Sequence, residues 1–113
     1  MLFPTSEVSF SSEVLDSPQP VIVHFWAPWC KICQRLEPML LKFQQESPHR
    51  VRLASVNADE SLKLVNTYRV KILPTVLVFE QGQLIHRVEG FQGLDDTARS
   101  LRQAIEQRIA TTA

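Results

Sequence analysis

Residues 20–33 read PVIVHFWAPWCKIC. An apolar run, Val21-Ile22-Val23 then Phe25-Trp26-Ala27, is interrupted by one ionisable ring, His24, and ends at Cys30-Lys31-Ile32-Cys33. Such a run predicts a strand covered on both faces. Past Cys30 the period changes. Leu36, Met39, Leu40 and Phe43 recur at spacings of three and four, while Arg35, Glu37, Lys42 and Gln44 face away, which predicts an amphipathic helix. Pro38 falls inside it, removes one backbone donor and is expected to bend it. The chain's only cysteines thus lie where a buried strand passes into a helix.

That junction carries chemistry. A cysteine at a helix N-terminus meets free N–H groups and the positive end of the dipole, which favour its thiolate and make it the attacking sulfur. The second cysteine, one turn on, is close enough to close a disulfide without moving backbone. The pair can exchange electrons as a unit, through a mixed disulfide that the second thiol resolves. A closed zinc site needs about four ligands, and one pair supplies two. His24, His49 and His86 show no ligand-like spacing, so no metal is expected. An inert buried pair is the remaining plain reading.

Outward from this stretch the pattern alternates. Residues 6–16, with Val8, Phe10, Val14 and Leu15, read as a short helix ended by Ser17-Pro18. Val51 to Val56 reads as a strand, and 60–68 as a helix with Leu64, Val65 and Tyr68 inward. Val76 to Phe79 and Leu84 to Val88 form a hairpin about Glu80-Gln81-Gly82-Gln83, where Gly82 can take positive φ. Leu94, Ala98, Leu101, Ile105 and Ile109 define a last amphipathic helix. The order predicts an α/β fold, a mixed sheet with parallel crossovers, an antiparallel hairpin and helices on both faces.

The chain has 113 residues, 44% apolar and 21% charged, which suits a single domain over 1–113 with its own core. Twelve basic and twelve acidic residues cancel, so no field of one sign gathers nucleic acid or anionic lipid. Neither nucleic acid nor membrane is an expected partner. The start, MLFPTSEVSF, does not read as a secretory signal, and no apolar stretch approaches the roughly 18 residues of a span. A lone cysteine pair fits a reducing compartment, the cytoplasm or, for a processed chain, an organelle stroma.

Phe25-Trp26-Ala27-Pro28-Trp29-Cys30-x-x-Cys33, Pro38 and Leu73-Pro74-Thr75 before the hairpin resemble the thioredoxin family, and Gly82 and Gly90 fall where that family has glycines. The resemblance runs from about Phe10 to the final helix. It implies a central sheet of four or five strands and thiol–disulfide exchange with protein clients. It implies Cys30 as nucleophile, Cys33 as resolving thiol and a cis peptide at Leu73–Pro74. No cofactor is called for, since the dithiol is the redox group. The implied partners are disulfide-containing clients and a thioredoxin-type reductase or other dithiol donor, with the chain acting as a monomer. Two rival readings are a dedicated oxidase or isomerase and a non-catalytic adaptor on the same fold.

Departures mark the chain as atypical. Lys31-Ile32 replaces Gly-Pro, His24 stands at the family's buried aspartate, Ser55 at a common lysine, and Glu89 precedes Gly90 where a small or apolar residue is usual. His24 reads either as a proton relay for Cys33 or as a core histidine bonded to a carbonyl or water. Trp26 reads as packing beneath the loop, with Asp59 a candidate acceptor for its indole or a helix cap. Trp29, Lys31, Ile32, Leu73, Pro74, Thr75 and Gly90 are the candidate client surface, Pro74 keeping backbone available for β-strand addition. Glu89 is a candidate partner for Lys31 across the rim.

Overall fold

The structure, a computed structural model, describes the backbone of residues 2–112 and the side chains of residues 2–107. The strands are β1 (Leu2–Pro4), β2 (Val21–Trp26), β3 (Arg52–Asn57), β4 (Thr75–Glu80) and β5 (Gln83–Glu89), and the helices are α1 (Lys31–Glu46), α2 (Leu62–Thr67) and α3 (Leu94–Thr112). The sheet runs β1-β3-β2-β4-β5. β1, β3 and β2 are parallel, while β4 runs antiparallel to β2 and β5 to β4. This is the thioredoxin fold, with five strands.

Alternation along β2 builds two cores. Val21, Val23 and Phe25 face one way, with Phe10, Val14, Leu64 and Phe79. Ile22 faces the other, with Leu36 and Leu40 of α1 and Leu101 and Ile105 of α3. His24 shares the parity of Ile22 and so lies on the α1 side of the sheet. All of β2 but Trp26 is buried, which is why the run shows no polar alternation.

The N-terminal reading needs correction. A strand, β1, precedes the expected helix and pairs with β3 in the register Leu2↔Leu53 to Pro4↔Ser55. It is three residues long and carries a proline, which only an edge position tolerates. The helix itself shrinks to a π-helical turn, Ser11–Leu15. Upstream of it, Ser9 Oγ accepts the Ser6 amide at 3.1 Å, so hydroxyls compete for backbone that a helix would use. Phe10 and Val14 are buried as expected, but Val8 is 94% exposed.

The second helix is likewise shorter than expected. A 3₁₀ turn, Ala58–Glu60, precedes α2; Leu64 is buried, with Val65 and Tyr68 packed against its core. The hairpin turns at Gln81 (φ +51°) and Gly82 (φ +79°), where the tight reversal requires positive φ at both central residues. Leu101 and Ile105 of α3 are buried and Ala98 packs on their core, but Leu94, at the first position, is exposed. The side chain of Ile109 lies outside the described residues. Among the described residues no helix is long and apolar enough to cross a membrane.

Candidate active site

Cys30 is the N-cap of α1, with extended backbone (φ −92°, ψ 98°), and its amide donates to Ala27 O at 3.0 Å. Its sulfur accepts the Cys33 amide at 3.2 Å, and the first turn of α1 holds no acidic residue. Both features stabilise a thiolate at Cys30 once the pair is reduced. The two sulfurs are bonded as a disulfide, with Cα atoms 5.3 Å apart. Cys33 is buried one turn into the helix, and Trp26, Ile32 and Leu73 pack around the pair. The pair can therefore open and close within one turn of helix.

His24 is 1% exposed, and neither ring nitrogen has a partner among the described residues. Burial drives its pKa down from 6.5 to about 4, so the ring is neutral at physiological pH. No backbone carbonyl bonds the ring, which leaves the two sequence readings as a proton relay and a core histidine bonded to water. His24 lines a cleft of about 320 Å³ with Leu2, Pro4, Trp26, Cys33, Gln34, Glu37 and Ser55. The parity of β2 and the return of α1 across the sheet bring the ring and the buried sulfur to one space.

The acceptor expected for Trp26 goes to the other tryptophan. The Trp26 indole donates to Ser55 Oγ at 2.7 Å, not to Asp59. The Trp29 indole donates to Asp59, at 3.1 Å to the nearer oxygen. Asp59 is not the cap either: Asn57 Oδ1 accepts the Asp59 amide at 3.0 Å and caps the 3₁₀ turn. Register explains the switch, because Trp26 pairs with Asn57 in the β2–β3 ladder and Ser55 lies two residues back on the same face. That strand pairing is what a linear reading lacks.

On the far rim, Leu73–Pro74 is cis, as expected. Pro74 is buried and its carbonyl accepts the Gly90 amide at 2.8 Å. Gly90 has φ +76°, which favours glycine there. Thr75 is wholly buried and its hydroxyl donates to Ile72 O at 2.6 Å, so it braces the loop rather than presenting a side chain. Trp29 is 67% exposed and Lys31 is exposed, while Ile32 and Leu73 are partly buried. Glu89 does not pair with Lys31; its carboxylate lies 3.8 Å from Arg87 on its own strand. Sequence reasoning missed Ile72, 51% exposed beside Gly90, and Glu37, four residues beyond Cys33 in the His24 cleft. The i, i+4 spacing from Cys33 was the available signal for Glu37.

A sulfur pair so placed performs thiol–disulfide exchange, and this defines the class of protein as a thiol–disulfide oxidoreductase. The family model described as Thioredoxin matches residues 2–107, and the chain belongs to the thioredoxin family. It is 36% identical over 85 residues to a protein named Thioredoxin from Synechocystis, covering 75% of this chain and 79% of that one. It is 36% identical over 84 residues to Thioredoxin M5, chloroplastic, from rice, covering 74% and 49%. A protein named Bifunctional thioredoxin reductase/thioredoxin from Mycobacterium leprae is 30% identical over 100 residues, or 88% of this chain and 22% of that one. Membership implies disulfide substrates and a reductase partner.

Proposed function

We propose that this chain reduces client disulfides, with Cys30 as nucleophile, Cys33 as resolving thiol and His24 as the group that takes the Cys33 proton. The observation carrying the assignment is the position of Cys30 at the α1 N-terminus, with no acidic residue in the helix's first turn and Cys33 buried one turn on. The Cys30 thiolate attacks the client disulfide and releases one client thiolate. Cys33 then loses its proton, attacks Cys30 Sγ in the mixed disulfide and expels the second client thiolate. The neutral, unpartnered His24 ring supports its part in that second step.

Clients dock across Trp29, Ile32 and the 73–75 loop. Leu73 is the residue that offers backbone to an extended client segment, since Pro74 O is already engaged. The site is less reducing than a Gly-Pro thioredoxin, because the exposed Lys31 favours the Cys30 thiolate and hence the reduced pair. The chain works as a single-domain monomer in a reducing compartment, the cytoplasm or an organelle stroma, and a thioredoxin-type reductase like the one named in the mycobacterial relative is the donor. The test is reduction of insulin with dithiothreitol as donor. The wild type accelerates precipitation of the insulin B chain and Cys30→Ser does not; equal rates would favour the adaptor reading.

A further inference from the structure

The cleft below the disulfide holds three side chains that can titrate once the pair is reduced: Cys33 and Glu37 from α1 and His24 from β2. Its other walls offer none. β1 contributes Leu2 and Pro4, β3 contributes Ser55, and Trp26 and Gln34 complete the lining. Cys33 and Glu37 lie one helical turn apart on the same face of α1, the sulfur buried and the carboxylate exposed. Neither ion pair among the described residues involves Glu37, so its carboxylate is not committed to a cation there. The cleft is thus lined by a buried sulfur, a buried ring and an exposed carboxylate.

Both ring nitrogens of His24 are buried and have no partner among the described residues. Burial opposes the imidazolium, so the ring holds a second proton poorly. A neutral ring can pass one on, accepting at one nitrogen while the other nitrogen's proton leaves. That transfer needs an acceptor on the far side, and a cleft of about 320 Å³ has room for bridging water.

We propose that Glu37 is the outer acceptor of a two-station proton relay, taking through cleft water the proton that His24 gives up as Cys33 is deprotonated. This rests on the reading of His24 given above. In the step, the Cys33 S–H bond breaks, Cys33 Sγ bonds to Cys30 Sγ, and the bond from Cys30 Sγ to the client sulfur breaks with its electron pair leaving on the client thiolate. The dithiol is oxidised and the client reduced. The proton passes by way of His24 to the Glu37 carboxylate and then to bulk water, and the ring ends neutral.

The experiment is single-turnover resolution of a preformed mixed disulfide between full-length Cys30 and a thionitrobenzoate probe, followed by release of the coloured thiolate across pH 5–8. Glu37 is exposed, so Glu37→Gln is expected to fold normally. Glu37→Gln should slow release several-fold with an altered pH profile, Glu37→Asp should restore most of the rate, and Glu37→Gln should add nothing in a His24→Asn background. Wild-type release by Glu37→Gln beside slow release by His24→Asn overturns the outer station and leaves the His24 reading intact. Wild-type release by His24→Asn overturns that reading itself. Equal slowing by Glu37→Gln in both backgrounds shows Glu37 acting without His24 and also overturns the proposal.

Discussion

His24 on β2 and His86 on β5 are both drawn into the fold, and burial lowers the pKa of each. Their surroundings differ. His86 Nε2 lies 2.6 Å from Ser100 Oγ, a hydrogen bond that fastens β5 to α3. His24 is more deeply buried, has no hydrogen-bond partner among the described residues, and shares a cleft with Cys33. A buried polar group left unpaired costs about 1–3 kcal/mol. On the proposed function, a fold that keeps such a group beside its redox centre trades stability for proton transfer, whereas His86 is held by a hydrogen bond to its neighbouring helix.

The largest effect that tests this contrast is on stability against pH. The folded pKa of His24 is about 4 against 6.5 unfolded, so between those values the unfolded chain binds more protons. The contribution of neutral His24 is complete above pH 6.5 and is lost as pH falls toward 4, a change of about 3 kcal/mol at 1.36 kcal/mol per unit. Urea midpoints measured from pH 7 to pH 4 should fall steeply in the wild type and much less in His24→Asn. His86→Asn should remove a smaller part of the slope, of the same sign. Equal slopes in wild type and His24→Asn would remove the basis for treating the two rings differently.

The next effect is kinetic. His24→Asn should slow resolution of a mixed disulfide by roughly 10-fold or more, in the lower range of general-base contributions, with the deficit widening below neutral pH. His86→Asn should stay within about twofold of wild type. A comparable loss in both would mean the rings act through stability alone.

Smaller still is the effect of the dipeptide between the cysteines. Glu89 pairs with Arg87, so it does not offset the Lys31 charge. Replacing Lys31-Ile32 by Gly-Pro should lower the potential by up to about 30 mV, the equivalent of ~1.4 kcal/mol for two electrons, in equilibration against glutathione. No change, or a rise, would show that the charge at Lys31 does not set the poise. Smallest is Ser100→Ala, expected to cost about 1 kcal/mol in urea melts and to leave insulin reduction unchanged, as loss of one hydrogen bond outside the redox site should.

What could be read in the sequence, and what could not, follows from range. The buried β2 run, the period of α1, the hairpin at Gly82 and the cysteine pair at a strand–helix junction are local patterns. The cis Leu73–Pro74 bond came with the family resemblance rather than from any local preference. β1 was missed because three residues ending in proline carry little periodic signal, and only its partner β3 makes them a strand. The pairing of the Trp26 indole with Ser55, in place of the expected Asp59, depends on the β2–β3 register. The helical period puts Glu37 only on the outward side of α1, since its relation to His24 exists only once the helix lies across the sheet.

The most direct measurement of the central claim is trapping of a defined client. Cys33→Ser and Cys30→Ser would each be reduced, freed of reductant and mixed with oxidised insulin, and their adducts weighed by mass spectrometry. The expected result is a stable mixed disulfide through Cys30 in Cys33→Ser and almost none in Cys30→Ser. Equal trapping by the two variants would contradict the assignment of attack to Cys30 and resolution to Cys33.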